Sequence, residues 1–298
     1  MYRSILNVIL IVVVAYSCKK ENTTHPDDEL QYPIVDTIHV ISYNVAGLPE
    51  GISSSQPASN TSEIGRRLNT YDIVSVQEDF NYNHFLYGTS NHPYKTKWSG
   101  PVPFGDGLNV MSRYKLTDLD RQKWKDCYGT DCLTPKGFSY NRIEIQGGAS
   151  IDFYNIHANA GKSKEDQQTR RSNLLQMYDY IEKHSEGRAV IIAGDFNSRY
   201  ALTVDTLEVY RYLGFLDTWI EYSRKGVYPD KGVTRLDACD NLSSGDCETV
   251  DKILFRSNEQ VKFKLLDYQK QQQEFVRDGE DLSDHWPITS LFEITIMY

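Results

Sequence analysis

Apolar runs of strand length alternate with segments of helical spacing along most of the chain. Ile38–Val45 combines β-branched residues with apolar and polar alternation, which predicts a half-buried strand. Tyr71–Val76 is almost continuously apolar and predicts a strand buried on both faces. The same criteria predict six more strands, at Leu108–Ser112, Phe138–Ile145, Ile151–Ile156, Ala189–Ala193, Val250–Phe255 and Pro287–Ile294.

Three segments have the spacing of apolar side chains that predicts a helix, namely Glu63–Leu68, Asp166–Lys183 and Val204–Tyr212. Many strands interleaved with few helices indicate two sheets packed face to face with the helices outside. Sandwich and α/β domains often reach about 250 residues as one unit. We therefore expect residues 37–298 of this 298-residue chain to form a single α/β domain.

The first 17 residues differ from the rest of the chain. Arg3 precedes the apolar run Ile5–Val14, and Cys18 follows shortly after. This order is typical of a secretory signal over residues 1–17, although a buried first helix is the alternative. Cys18 resembles the lipidated cysteine of bacterial lipoproteins. We therefore expect an exported protein, anchored through a lipid on Cys18 at the cell envelope or surface, with the polar residues 18–36 as a tether.

The other four cysteines form two close pairs in polar loops, Cys127 with Cys132 and Cys239 with Cys247. In an oxidising compartment each pair is expected to close as a short-loop disulfide. A metal site is the alternative, but neither spacing is usual for zinc. The cysteines therefore agree with export.

Composition and charge limit the class of substrate. Hydrophobic residues make up 40% of the chain, which fits a globular domain, and the formal net charge is −9. Proteins that bind nucleic acid usually neutralise phosphates with a basic surface. The acidic balance therefore argues against DNA or RNA as the substrate.

Polar side chains follow the predicted strands where those strands end. Glu78 comes after the buried strand Tyr71–Val76, and Asn44 lies near the end of an earlier one. A hard cation such as Mg²⁺ takes oxygen ligands, typically one or two carboxylates together with the phosphate of the substrate. Glu78 and Asn44 are therefore candidate metal ligands. The alternative for Glu78 is a charge at a helix N-terminus, and the alternative for Asn44 is a residue that forms a turn.

The segment Gly194-Asp195-Phe196-Asn197 follows an apolar run and carries two convergent polar groups. Strand alternation places Asp195 and Asn197 on the same side. Asp195 could then orient an attacking water while Asn197 donates to a phosphoryl oxygen. The alternative is a simple Asx turn.

Two histidines lie at predicted strand ends, His157 after Ile151–Ile156 and His285 shortly before the last strand. An imidazole titrates near neutral pH and can serve as acid or base, provided that a carboxylate fixes its tautomer. Asp251 is the candidate carboxylate for His285. Asp284, next to His285, would complete the carboxylates on the metal side.

Six polar segments carry a family resemblance, and they are Ser42-Tyr43-Asn44, Gln77-Glu78, Ile156-His157, Gly194-Asp195-Phe196-Asn197, Val250-Asp251-Lys252-Ile253 and Ser283-Asp284-His285. As an ordered set they resemble the endonuclease/exonuclease/phosphatase superfamily. The resemblance implies the DNase I-like fold, a four-layer α/β/β/α sandwich with the site at one edge of the two sheets. It also implies site roles: Asn44, Glu78 and Asp284 at Mg²⁺ or another divalent cation, Asp195 and Asn197 at the water and phosphate, His285 as general base held by Asp251, and His157 as a phosphate-stabilising or acid group.

Within that superfamily the chain is similar to the bacterial sphingomyelinases. Phe104–Arg113, the first cysteine loop and Lys136–Tyr140 follow their pattern of a glycine-rich turn, a cysteine and a Lys-Gly-Phe strand. Lys136 could contact phosphate, and an exposed strand-end lysine is the alternative. The arginine that DNase I-type enzymes place after the metal glutamate is missing after Glu78, which weakens the case for DNA.

Together these features predict a lipid-anchored, Mg²⁺-dependent phosphodiesterase that cleaves a phospholipid headgroup by in-line attack of water. A secreted nuclease and an inositol-phosphate phosphatase use related chemistry and remain alternatives. A non-catalytic surface protein that keeps the fold for binding is the alternative from another class. The sequence indicates no protein partner and no membrane contact beyond the N-terminal lipid and the substrate.

Overall fold

The computed structural model describes residues 33–53, 55–232 and 247–297. The predicted signal peptide, Cys18, most of the predicted tether and Cys239 lie outside these ranges. The first strand begins at Ile34, so residues 34–36 belong to the folded domain rather than to the tether. Across the described ranges we find no helix that combines the length and the apolar content needed to cross a bilayer.

Fourteen strands run through the described residues. Their bounds are β1 Ile34–Asn44, β2 Ile73–Gln77, β3 Tyr94–Lys95, β4 Asn109–Ser112, β5 Lys115–Lys123, β6 Gly137–Glu144, β7 Ser150–His157, β8 Val190–Asp195, β9 Leu216–Asp217, β10 Asp251–Arg256, β11 Val261–Lys270, β12 Val276–Arg277, β13 Glu280–Asp281 and β14 Ile288–Ile296. One mixed sheet has the order β11-β14-β1-β2-β4-β3, the other has the order β5-β6-β7-β8-β10-β9, and β12 and β13 form a small ribbon.

Helices in the described residues cover the outer faces of the sheets. The α-helices are α1 Pro57–Arg67, α2 Asn83–Thr89, α3 Lys164–His184 and α4 Thr218–Ser223, and the 3₁₀ helices are Leu68–Thr70, Gly129–Leu133, Gln146–Gly148, Leu207–Leu213 and Gln273–Phe275. The longest, α3, begins with a capping box in which Ser163 and Asp166 each bond the other's backbone N–H. Such a cap stabilises a helix by about 1 kcal/mol.

Alternation along β1 separates the two sides of its sheet. Ile38 and Val40 belong to the core between the sheets, while Ile41 and Tyr43 pack with residues of α1 and α2 on the outer side. Leu174 of α3 and its neighbours join the core of the second sheet. Strands β1 and β2 contact β7 and β8 face to face. The predicted four-layer α/β/β/α sandwich is therefore confirmed.

Buried amides connect the two sheets. The side-chain amide of Gln77 donates to Oδ1 of Asn155 at 2.8 Å. Asn155 in turn donates to the carbonyl oxygens of Val76 at 2.8 Å and Asn109 at 3.0 Å. All of these groups are buried. A buried polar group without a hydrogen-bond partner costs about 1–3 kcal/mol of stability, and these hydrogen bonds avoid that cost. These bonds fix β2 of one sheet against β7 of the other.

All eight predicted strands are present, with ends that shift by at most four residues. Two of the helix predictions correspond to α1 and α3. The predicted helix Val204–Tyr212 is wrong, because Leu207–Leu213 forms a 3₁₀ helix that ends at the left-handed Gly214. β-Branched and aromatic residues dominate that segment, and they have low helix propensity.

The disulfide between Cys127 and Cys132 is confirmed, with Cα atoms 5.2 Å apart. Cys247 is also disulfide-bonded. Its predicted partner, Cys239, lies outside the described residues.

Candidate active site

Three strands of the second sheet bring polar side chains into one lateral row. His157 ends β7 and Asp195 ends the parallel neighbour β8, and the two residues are paired in register. Asp251 begins the antiparallel strand β10 opposite Asp195. Parallel strands end at the same edge of a sheet, and an antiparallel neighbour begins there. The topology therefore converts three distant sequence positions into adjacent groups.

Asn44, the last residue of β1, joins this row to the first sheet. Its amide nitrogen donates to Oε1 of Glu78 at 3.1 Å and to Oδ2 of Asp195 at 3.2 Å. Its amide oxygen accepts from the backbone N–H of Ala46 at 3.1 Å. The predicted metal ligation by the oxygen of Asn44 therefore differs from the observed orientation, in which the nitrogen faces Glu78 and holds its carboxylate.

Glu78 follows β2 in a left-handed backbone conformation, with φ of 57°. Non-glycine residues rarely adopt this conformation, and each such residue costs about 1–3 kcal/mol. Its carbonyl oxygen accepts from Gly47 at 3.0 Å and from Phe80 at 2.8 Å. A Cβ on Gly47 would lie only 2.4 Å from that oxygen, and one on Gly107 would lie 3.1 Å from the Cα of Glu78. The two glycines thus allow the backbone to approach closely around Glu78.

His285 enters the site from the loop before β14. Its Nδ1 donates to Oδ2 of Asp251 at 2.9 Å, and its Nε2 lies 3.7 Å from Oδ2 of Asp195. Ser283 holds the loop by donating to the carbonyl oxygen of Asn44 at 2.7 Å. Burial alone would lower the pKa of His285, but the carboxylates of Asp251 and Asp195 outweigh it and raise this pKa well above its usual value. The predicted contact between His285 and Asp251 is therefore present.

Asp195 is buried at the centre of the site. Its burial raises its pKa to about 6, although His285 acts in the opposite direction. Oδ1 accepts from the backbone N–H of Asn197 at 2.9 Å, which is an Asx turn. Oδ2 faces Asn44, His157 and His285. The Asx turn is therefore present, and the second carboxylate oxygen of Asp195 faces the other site residues.

His157 is buried between Lys136 and the carboxylates. The ammonium of Lys136 donates to its Nε2 at 3.0 Å, and the same nitrogen lies 3.5 Å from Asp195 and 3.9 Å from Glu78. Burial, followed by the positive charges of Lys136 and His285, lowers the pKa of His157 well below its usual value. Since Lys136 is the donor, His157 is the neutral tautomer with an unprotonated Nε2.

Two predicted site residues lie at the margin of the cluster. The side-chain amide of Asn197 donates to the carbonyl oxygen of Ala158 at 3.1 Å, so one of its hydrogens is engaged with the backbone. Asp284 is exposed, accepts from the hydroxyl of Ser283 at 3.4 Å and helps to raise the pKa of His285. It lies beside His285, outside the buried group formed by His157, Asp195 and Asp251.

The donor set suits a hard cation. Glu78 presents a carboxylate that is 20% exposed and that lies 3.9 Å from Nε2 of His157, next to Asp195. Among the described residues, Asp195, Asp251 and His285 form a group whose ligand atoms lie within 4.8 Å of one another. Because His285 and Asp251 already bond each other there, Glu78 is the better match to the oxygen ligands that Mg²⁺ prefers.

Sequence patterns did not reveal the residues that support this cluster. Ser283 and Gly107 lie within segments that carry the family resemblance, but that resemblance assigned them no role. Asp131, whose Oδ1 lies 2.7 Å from Nζ of Lys136, lies in the first cysteine loop, which has no periodicity. Gly47 could have been identified, since a glycine close to Asn44 is a plausible site of close backbone approach.

This fold and this arrangement of strand-end groups define the DNase I-like class of α/β/β/α sandwiches. A model of the Endonuclease/Exonuclease/phosphatase family 2 matches residues 52–221, so the chain belongs to that family. A sphingomyelinase from Mycobacterium tuberculosis is 39% identical over 259 residues, which cover 83% of this chain and 51% of that protein. The chain thus spans about half the length of the curated relatives it matches.

Solved structures agree on the fold. TDP2 from D. rerio in complex with single strand DNA product has a TM-score of 0.62 at 19% identity, covering 86% of this chain and 98% of that one. A variant of beta toxin from Staphylococcus aureus with bound magnesium ions has a TM-score of 0.58 at 18% identity, covering 86% and 99%. At these identities the likeness concerns architecture alone.

Proposed function

We propose that this domain is a Mg²⁺-dependent phosphodiesterase of the sphingomyelinase type, which hydrolyses the headgroup phosphodiester of a phospholipid. The observation that carries the proposal is the convergence of Asp195, His157, His285 and Glu78 at one edge of the sandwich. The relative that is 39% identical and named as a sphingomyelinase supports this substrate class. The net charge of −9 also suits a lipid substrate better than a polyanion.

The proposed reaction is an in-line displacement. The oxygen of a water molecule forms a bond to phosphorus while the bond from phosphorus to the leaving oxygen breaks, and the leaving oxygen takes a proton from solvent water to depart as an alcohol. The water proton passes to Asp195, whose pKa of about 6 suits a group that accepts a proton near neutrality. A magnesium ion at Glu78 would supply positive charge to the phosphoryl oxygens.

This scheme differs from the role of general base that the family resemblance implies for His285. Its raised pKa favours the imidazolium, which is an acid rather than a base at neutral pH. We therefore assign the proton acceptor to Asp195 and the stabilisation of the phosphoryl or leaving oxygen to His285, held by Asp251. Lys136 would bind the phosphoryl group from the other side with its ammonium as a charged donor, and His157 would hold that ammonium by accepting one of its hydrogens at Nε2.

The nearest alternative substrate is a nucleic acid or an inositol phosphate. A substrate panel separates these classes: sphingomyelin and other phospholipids in vesicles, inositol phosphates and duplex DNA, each with Mg²⁺ and with excess chelator. We expect Mg²⁺-dependent release of the headgroup from a phospholipid, with sphingomyelin as the first candidate. Hydrolysis of DNA or of inositol phosphates alone would replace the lipid proposal, and equal rates in chelator would remove the metal from it.

We also propose export and lipid anchoring through Cys18, on the sequence of residues 1–18 alone. The expected location is the cell envelope or surface. Metabolic labelling with an alkyne fatty acid in a bacterial host should label the wild type and not Cys18→Ser. Equal labelling of the two would contradict the assignment.

A further inference from the structure

The Cys127–Cys132 disulfide closes a small ring that lies against the chain leaving His157. The backbone N–H of Tyr128, inside the ring, donates to Oδ1 of Asn159 at 3.0 Å. Asp131, also inside the ring, accepts from the backbone N–H of Ala160 at 2.5 Å. The ring is therefore attached at two points to the segment that follows β7.

The other carboxylate oxygen of Asp131 pairs with the ammonium of Lys136. Its Oδ1 lies 2.7 Å from Nζ of Lys136, and that nitrogen lies 3.0 Å from Nε2 of His157. The side chains of Lys136 and Asp131 are only 11% and 15% exposed. Solvent therefore screens this ion pair less than an ordinary surface pair.

An ammonium group has three N–H donors and no preferred direction of its own. In Lys136 one donor is taken by Asp131 and one by His157. With these two directions fixed, the third donor has a defined direction in a site where a phosphoryl oxygen would be bound. A lysine without Asp131 would sample other rotamers, since its long side chain has many of similar energy.

We propose that Asp131 is a positioning residue for Lys136, and that the Cys127–Cys132 ring holds Asp131 in the position this requires. The proposal rests on the proposed function, in which Lys136 binds the phosphoryl group. Asp131 acts through Lys136 and does not touch the substrate. Because charge-assisted hydrogen bonds contribute about 1.5–3 kcal/mol, loss of the correctly directed ammonium should reduce kcat/KM by roughly 10- to 100-fold.

The first experiment is a double-mutant cycle on catalysis. Asp131→Asn should lower kcat/KM at least tenfold, mainly by raising KM, and Asp131→Glu should recover part of the loss. In a Lys136→Met background the Asp131→Asn change should have less than a twofold effect. Asp126→Asn is the matched control, because it removes a neighbouring acidic charge that bonds Ser172 instead of Lys136. Additive effects of the two substitutions, or a wild-type KM in Asp131→Asn, would overturn the proposal.

A second measurement does not depend on activity, so it separates failure of this inference from failure of the proposed function. The ¹⁵N chemical shift of Nε2 in His157 reports whether that nitrogen accepts a hydrogen bond from Lys136. In Asp131→Asn it should move to the value found in Lys136→Met, while Asp126→Asn should keep the wild-type value. An unchanged shift in Asp131→Asn would overturn the proposal even if the enzyme is active.

The ring itself is tested by Cys127→Ser combined with Cys132→Ser, which leaves the disulfide of Cys247 in place. In this variant the ¹⁵N chemical shift of His157 Nε2 and the KM should change in the same direction as in Asp131→Asn. The far-UV circular dichroism spectrum should stay unchanged. A folded ring-opened variant with wild-type values of both would refute the part assigned to the disulfide.

Discussion

Gly47→Ala tests whether the unusual backbone of Glu78 is required by the site. The added Cβ would lie 2.4 Å from the carbonyl oxygen of Glu78, whereas ordinary contact begins at 3.4 Å. One of the two backbones must therefore move by about 1 Å, the difference between these distances. Gly47 itself does not have a positive φ, so the effect would come from this contact and not from backbone strain at the substituted residue.

The movement acts on the residue proposed to bind the metal. The 3.0 Å hydrogen bond from Gly47 to Glu78 would lengthen, and the left-handed turn at Glu78 would lose one of its two backbone donors. A misplacement of 1 Å in an active site can lower the rate by about 10²-fold. Overpacking in a buried position costs about 1–3 kcal/mol of stability. We therefore expect a loss of roughly 10²-fold in kcat/KM and a weaker response to Mg²⁺.

The assay is hydrolysis of the substrate identified in the panel, titrated with Mg²⁺, together with thermal unfolding to verify that the variant is folded at the assay temperature. Gly88→Ala is the matched control: Gly88 lies in α2, and a Cβ there would meet no heavy atom within 4 Å. This control should keep wild-type activity and gain up to about 1 kcal/mol of helix stability. A Gly47→Ala enzyme with kcat/KM within twofold of the wild type would refute the argument.

Three further predictions follow from the same geometry. His285→Ala should lower kcat by at least ~10²-fold without unfolding the protein, and Asp251→Asn should produce a smaller loss in the same steady-state assay, whereas unchanged kcat in His285→Ala would remove it from the reaction. Glu78→Gln should raise the Mg²⁺ concentration for half-maximal activity at least tenfold, since an amide is a weaker ligand for a hard cation; an unchanged Mg²⁺ titration would exclude Glu78 as the ligand. Asp217 caps α4 and is buried, and this burial raises its pKa to about 6. Between about pH 4 and pH 6 the folded state therefore binds more protons than the unfolded state. The contribution of Asp217 to the stability of the fold thus falls as pH rises through that window. Asp217→Asn keeps a capping oxygen, so its stability relative to the wild type, measured from urea midpoints, should increase between pH 4 and pH 7, and a constant difference would contradict the sign.

Sequence patterns predicted the buried strands well because both faces of those strands lie in apolar layers. The edge strand β5, Lys115–Lys123, escaped detection because it is mostly polar and partly exposed, so no apolar run marks it. The edge strand β11, Val261–Lys270, does begin with an alternating Val-Lys-Phe-Lys pattern and could have been found.

The members of the site were identifiable as polar residues at strand ends, but their relations were not. Hydrogen bonds from the backbone N–H groups of Ala46 and Asn197 decide that the amide nitrogen of Asn44 and one oxygen of Asp195 face the site, and these bonds depend on local turns. The left-handed conformation of Glu78 has no sequence signal, because it results from the close approach of Gly47 in the folded chain. Pairing of Asp131 with Lys136 likewise depends on the path of a loop.

The buried amides of Gln77 and Asn155 have a further consequence for how the enzyme can adapt. Glu78 follows β2 of one sheet, whereas His157, Asp195 and Asp251 lie on strands of the other, so any sliding between the layers would separate the two halves of the proposed reaction centre. Directional hydrogen bonds across this buried interface resist such shear better than apolar contacts do. Changes in specificity should therefore arise in the loops around the site, while the two sheets keep a fixed position relative to each other.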